Sequence, residues 1–211
     1  MSEEWTPKTK LGKLVASGEI TTMEEALATN LPLLEPEIVD KLLPNLQTVV
    51  LSRKVTVRVT DSGKRRSFQV AVAVGNENGY VGVGIGKGRE YRAALNAAIA
   101  DAKVNIIRIR RGCGSWECGC GMPHSVPFRV EGKSGSVRVI LLPAPRGVGL
   151  AAADSIKPIL RLAGIKDVWE KAFGNTRSTY NFARAVVDAL SKTTRTKMPP
   201  EVLSKVGVDW I

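Results

Sequence analysis

The chain has 211 residues, with 31 Lys and Arg against 20 Asp and Glu, a formal charge of +11 and a pI near 9.8, a balance that favours a polyanionic partner. With 44% hydrophobic and 24% charged residues it can bury a core, which excludes a disordered or collagen-like chain. No apolar run approaches the roughly 20 residues of a membrane span, and Met1–Trp5 lacks the layout of a signal peptide, so no membrane partner and a cytosolic protein are expected.

Residues 1–46 hold Lys8, Lys10, Lys13 and Lys41 against eight acids, a net −4, which leaves +15 on the rest. Such a segment would repel what the remainder attracts, and it reads as a separate acidic extension that meets protein or solvent. Thr22 with Glu25 forms a capping box, and Pro36 opens a run of Ile38, Val39, Leu42 and Leu43 that Pro44 stops; two short helices with little core of their own are expected.

From Val49 the period becomes two. Val55, Val57 and Val59 alternate with Thr56, Arg58 and Thr60, Asp61-Ser62-Gly63 turns, and Phe68, Val70, Val72 and Val74 return. Asn76-Glu77-Asn78-Gly79 turns again into Val81, Val83 and Ile85, and an Ala-rich helix follows from about Glu90 to Ile109. This three-stranded meander plus helix is assigned to residues 47–112.

Positive charge is concentrated at two places in this unit. Lys64, Arg65 and Arg66 share a hairpin with Arg53, Lys54 and Arg58, opposed only by Asp61. Six like charges repel one another unless an anion lies among them, and a solvated edge guarded against aggregation needs only one or two. The second place is Gly82-Val83-Gly84-Ile85-Gly86-Lys87-Gly88-Arg89, where alternate glycines leave one strand face bare for a phosphate or for another segment. Lys87, Arg89 and Arg92 crowd a helix N-terminus, where the dipole disfavours them unless an anion binds. A nucleic-acid backbone is the expected anion, at Gly86, Lys87, Gly88, Arg89 and Arg92. The spacing fits neither a P-loop nor a dinucleotide fingerprint, since Val81 and Gly88 stand where the first needs Gly and Ser or Thr, and Arg89 stands where the second needs Gly.

All three cysteines and the single histidine, Cys113, Cys118, Cys120 and His124, fall in residues 113–124 on a Gly-rich loop. Four such ligands fit a closed structural zinc site; a disulfide or free thiols would use the same residues. Catalytic zinc would need an open position, and no His-x-Glu accompanies the cysteines.

Residues 125–191 form a second unit read as ββαβα: strands Phe128–Glu131 and Ser136–Leu142 around a Gly132–Gly135 turn, and a cationic Gly loop, Pro143-Ala144-Pro145-Arg146-Gly147-Val148-Gly149-Leu150. A helix over about Ala151–Ala163 with Pro158 in its first turns, a strand at Ile165–Lys171 and a helix over Thr179–Leu190 follow. Residues 192–211 read as an irregular tail, and the whole as an α+β chain of two small domains with a helical extension.

The residues resemble the family of universal small-subunit ribosomal protein five in its archaeal form, the counterpart of eukaryotic small-subunit ribosomal protein two. The resemblance rests on Thr60-Asp61-Ser62-Gly63-Lys64, Gly75-Asn76 with Gly82–Glu90, Pro143–Gly149 and Leu162-Ala163-Gly164-Ile165. It implies an N-terminal domain similar to a double-stranded-RNA-binding fold and a C-terminal domain of this family's own second-domain type, neither with a catalytic centre and neither requiring a cofactor for activity. It further implies ribosomal RNA as the ligand, near the decoding region and the messenger path, beside small-subunit ribosomal proteins four and eight. By motif, Lys64, Arg65 and Arg66 would reach into RNA, Lys87 and Arg89 would touch phosphates, and Arg146 and Gly147 would lie at an RNA or protein surface. The cysteine loop is not explained by the shared motifs.

Two rivals accompany this reading. A free-standing RNA-binding regulator or chaperone shares all of its charge logic. A small-molecule kinase-like ATP-binding protein is suggested by Pro143–Ala153, but Ala151 and Ala152 replace the serines such a loop would carry.

Overall fold

The computed structural model describes residues 5–197 together with 199, 202, 206 and 207. Its first sheet is antiparallel in the order β1 (Gln47–Thr60), β2 (Gly63–Gly75), β3 (Tyr80–Gly88), β4 (Ile106–Arg108). Helix α4 (Tyr91–Val104) links the last two strands. The sequence reading carried that helix through to Ile109 and gave the sheet three strands. The helix instead stops at Asn105, and Ile106–Arg108 pair with Tyr80–Gly82 as a fourth strand, in keeping with the strand preference of adjacent β-branched residues.

The extension forms three helices rather than two: α1 (Lys10–Ser17), α2 (Met23–Ala28) and α3 (Pro36–Leu42). Thr9 caps α1, the Thr22–Glu25 capping box is formed, and Pro36 sits in the first turn of α3. The expectation of little core is also corrected. Leu11, Val15, Ile20, Met23, Ala26, Ile38 and Val39 form a cluster completed by Tyr80 and Ile106 of the sheet. Glu24 pairs with Arg108 at 2.8 Å and Asp40 with Lys103 at 2.7 Å, so part of the extension's negative charge is used in docking on the basic body.

The second sheet runs in the order β5 (Val130–Ser134), β6 (Val137–Pro143), β8 (Val168–Phe173), β7 (Leu150–Ala151), with β7 parallel to β8. The β5–β6 turn falls at Gly135-Ser136, not over Gly132–Gly135. Gly132 lies within β5 under helix α6 (Thr179–Arg195), where a Cβ would overlap the backbone of Ala185 and Ala189. Helix α5 is shorter than expected, Lys157–Leu162, because the preceding residues form β7 and a turn before Pro158. Helix α6 extends four residues past the expected end of the domain at 191. Half of the expected tail lies outside the described residues, but the Cys113 N–H donates to the Val206 carbonyl at 2.7 Å.

The core is arranged in layers. Val70, Val72 and Val74 face Ala94, Ala98 and Ala102 of α4, while Ala73, Val81 and Val83 on the opposite face join a core with Ile159, Leu160, Phe182 and Val186. The first sheet is therefore buried on both sides, and α5 and α6 lie between the two sheets. Arg111 fastens the two halves through Asn78 Oδ1 at 2.7 Å and the carbonyls of Glu77 and Gly164.

Candidate nucleic-acid interface and metal centre

The β1–β2 hairpin outgrows its sheet. Pairing with β3 ends at Phe68 opposite Gly88, whereas β1 and β2 continue from Val55–Phe68 to the Thr60–Gly63 turn. At about 3.4 Å per residue the free ribbon projects nearly 20 Å. Register sorts its side chains into two faces: Val55, Val57 and Val59 with Phe68, Arg66 and Lys64 on one, and Thr56, Arg58 and Thr60 with Ser67 and Arg65 on the other. Val59 is 73% exposed and Lys64, Arg65 and Arg66 are all open to solvent. Arg53 and Lys54 sit at the base of the ribbon beside the Phe68–Tyr91 edge-to-face pair.

Of the two occupants open to the glycine strip, another chain segment fills it rather than the preferred phosphate. A Cβ at Gly82 or Gly84 would overlap the Ala102 backbone, and one at Gly86 that of Ala94 and Ala98. The bare strand face is thus filled by α4, and Gly86 is buried with no room for a phosphate; Gly88 likewise packs on Ala94. Of the five residues assigned there, Lys87, Arg89 and Arg92 remain exposed cations at the start of α4, which has no acid in its first turn and no side-chain cap.

The cysteine loop brings its four candidate ligands together. The ligand atoms of Cys113, Cys118, Cys120 and His124 lie within 4.8 Å of one another, close to the edge of about 3.8 Å in a tetrahedron with 2.3 Å Zn–S bonds. All three cysteines are free, with Cys113 buried. The backbone N–H of Arg146, followed by that of Cys120, holds the Cys118 thiol down at about 6, while burial pushes Cys113 up to about 11. His124 is buried, with Nε2 3.8 Å from the Cys118 sulfur and Nδ1 2.9 Å from Asp167 Oδ2. A carboxylate on Nδ1 fixes the tautomer that leaves Nε2 as a ligand. The residues can hold a metal ion.

Arg146 is exposed on its loop, but Gly147 does not offer its amide outward. The N–H groups of Gly147 and Gly149 donate to Asp167 Oδ1 at 3.0 and 2.8 Å. The positive φ of both glycines, 96° and 74°, turns these amides inward at little steric cost. Sequence reasoning missed Asp167, and it missed Lys157, Arg161 and Lys166, which gather with Arg111 and Arg146 around one cleft of about 910 Å³. Their spacing in the sequence gives no hint of this, because the cleft is assembled from turns of both halves.

Comparison with known proteins decides the family. Models of the ribosomal protein S5 N-terminal and C-terminal domains match residues 46–110 and 132–202. The chain belongs to the ribosomal protein S5 family. Relatives in this family include the small ribosomal subunit protein uS5 of Thermoplasma volcanium, 57% identical over 96% of this chain and 92% of the relative. That of Staphylothermus marinus is 55% identical over 99% and 94%, and that of Methanocaldococcus jannaschii 54% over 98% and 95%. The resemblance to an archaeal member of the S5 family, read from the motifs, agrees with this. Among the described residues no helix is long and apolar enough to cross a membrane.

Proposed function

We propose that the chain is a non-enzymatic structural constituent of the cytoplasmic small ribosomal subunit. It binds ribosomal RNA near the decoding region and the messenger path, beside small-subunit ribosomal proteins four and eight, and supports subunit assembly and translational accuracy. The observation that carries this reading is the projecting ribbon, whose two faces both bear exposed cations. Such a ribbon suits phosphates on either side and requires no base readout. Lys64, Arg65, Arg66 and Arg58 on the ribbon, Arg53 and Lys54 at its base, and Lys87, Arg89 and Arg92 at the start of α4 supply the contacts. Arg146 acts by its side chain, while Gly86 and Gly88 pack on α4 and the Gly147 amide turns to Asp167.

Cys113, Cys118, Cys120 and His124 constitute a closed structural zinc site in this reading, with the buried Asp167 behind His124 as the supporting carboxylate. The ATP-binding alternative is disfavoured by chemistry, since Asp167 already occupies the loop amides that a nucleotide phosphate would use.

Sedimentation of the native protein from a lysate, at low and high salt and with and without ribonuclease, tests the ribosomal reading. Migration with the small subunit that is lost on RNA digestion is expected; migration as a free protein of 22.7 kDa in every condition would overturn it.

A further inference from the structure

Three backbone amides of the Arg146 loop are held by residues beside the cysteine cluster. Ala144 N–H donates to Ser125 Oγ at 3.2 Å, and Gly147 and Gly149 N–H donate to Asp167 Oδ1. Asp167 is 4% exposed, and its second oxygen meets His124 Nδ1. One buried carboxylate therefore joins a candidate ligand to the loop. The His124 carbonyl accepts from the amides of Lys166 and Asp167 at 2.9 and 3.1 Å, so the carboxylate's own backbone hangs on the same residue.

Beyond the loop lies the cleft bordered by Arg111, Arg146, Lys157, Arg161 and Lys166. Its acids are Glu77, Asp167, whose oxygens are engaged as above, and Asp154 nearby, which pairs with Lys157 at 2.7 Å. The cations outnumber the acids, and Arg146, Arg161 and Lys166 are exposed. This is the environment of an RNA phosphodiester backbone, which presents successive single negative charges to separated side chains.

We propose that Asp167 couples the metal centre to the Arg146 loop, so that metal binding at Cys113, Cys118, Cys120 and His124 shapes the cleft of Arg146, Arg161 and Lys166 into a phosphodiester site. The inference rests on the zinc reading above. Without the metal, His124 loses its anchor to the cysteines, and the loop held through His124 and Asp167 becomes free to move. Asp167 is a positioning residue that touches no RNA, and its effect is transmitted through two glycine amides.

The test uses the full chain carrying R58A, K64A, R65A and R66A, which removes the four cations of the projecting ribbon, and small-subunit ribosomal RNA as the probe. Zinc content, hydrogen exchange at the Gly147 and Gly149 amides, and RNA affinity against salt are measured before and after chelation, and again for Asp167→Asn and for the pair Arg161→Ala, Lys166→Ala. Expected are about one zinc per chain and loss of amide protection with a roughly 3–10-fold weaker affinity after chelation. The same two losses are expected in Asp167→Asn at saturating zinc, and the Arg161, Lys166 pair should lower the salt slope by about 1–2. A native protein without zinc overturns the zinc reading and this inference together. A zinc-bearing protein whose amide protection and affinity are unmoved both by chelation and by Asp167→Asn overturns the coupling alone. An unchanged salt slope in the Arg161, Lys166 pair overturns the phosphodiester site.

Discussion

Arg58 of β1 stands directly opposite Arg65 of β2 in the unsupported part of the hairpin. Two guanidinium groups facing each other across a ladder weaken the pairing, and nothing in the local fold calls for them. In the proposed reading an RNA backbone would bring negative charge between them. Replacing Lys64, Arg65 and Arg66 together with Ala should weaken RNA binding and lower the slope of log affinity against log salt by about 2–3, with the thermal midpoint unchanged or slightly raised. In cells the same variant should miscode more often or accumulate unassembled subunits. Salt-titrated binding and a readthrough reporter check both outcomes.

The approach of α4 to the first sheet gives a contrasting prediction. A side chain at Gly84 would enter the space of Ala98 and Ala102 backbone atoms, so Gly84→Ala must push the helix off the strand. Overpacking of this kind costs on the order of 1–3 kcal/mol or more, read as a lowered denaturant midpoint. The salt slope of RNA binding by the folded fraction should stay as it was, which separates a packing glycine from a phosphate-binding one.

Thiol reactivity reports on the cysteine loop. In metal-free protein Cys118, held near 6 by the Arg146 amide, should alkylate first, with a rate that rises between about pH 5 and 7 and then levels. Cys113, pushed to about 11 by burial, should be the last to react. Added zinc should suppress both. Mass spectrometry after timed alkylation checks the order, and equal rates at neutral pH would contradict the local geometry.

Among the described carboxylates, Glu170 sits where its environment opposes its charge: Oε2 accepts from the Ala153 amide at 2.8 Å, while Oε1 is buried without a partner. Burial pushes its pKa above the ordinary glutamate range. A folded-state pKa above the unfolded one means that stability from this site is present below about 4.5 and is lost as pH rises through the folded value. Glu170→Gln should therefore raise the melting temperature at pH 7, with the advantage shrinking as the pH falls to 4. An unchanged or lower midpoint at pH 7 would refute this account.

What the sequence made legible follows physical range. Period-two valines, the Asp61-Ser62-Gly63 turn and the cation cluster around it are local signals, and the hairpin forms as they dictate. The Cys113–His124 spacing likewise brings its ligand atoms together. Alternate glycines at 82, 84 and 86 were ambiguous, because a bare strand face looks the same whether a phosphate or a helix is to fill it. The Ala94, Ala98 and Ala102 spacing was the clue that a helix would do so. Asp167 was illegible, since its meaning depends on His124 and Gly147 being folded around it. Short β4 was hidden by the alanine-rich periodicity that leads into it.

Tyr80 and Ile106 complete the cluster formed by the first 46 residues, and this fixes an order of events in synthesis. Translation delivers the extension first, yet its apolar residues find cover only after β3 and β4 have emerged. The opposite face of the same sheet waits longer still, because α5 and α6 supply its cover. Until β3 and β4 emerge, the carboxylates of the extension travel beside a strongly basic nascent chain, as an internal counterion made before the cations it will meet.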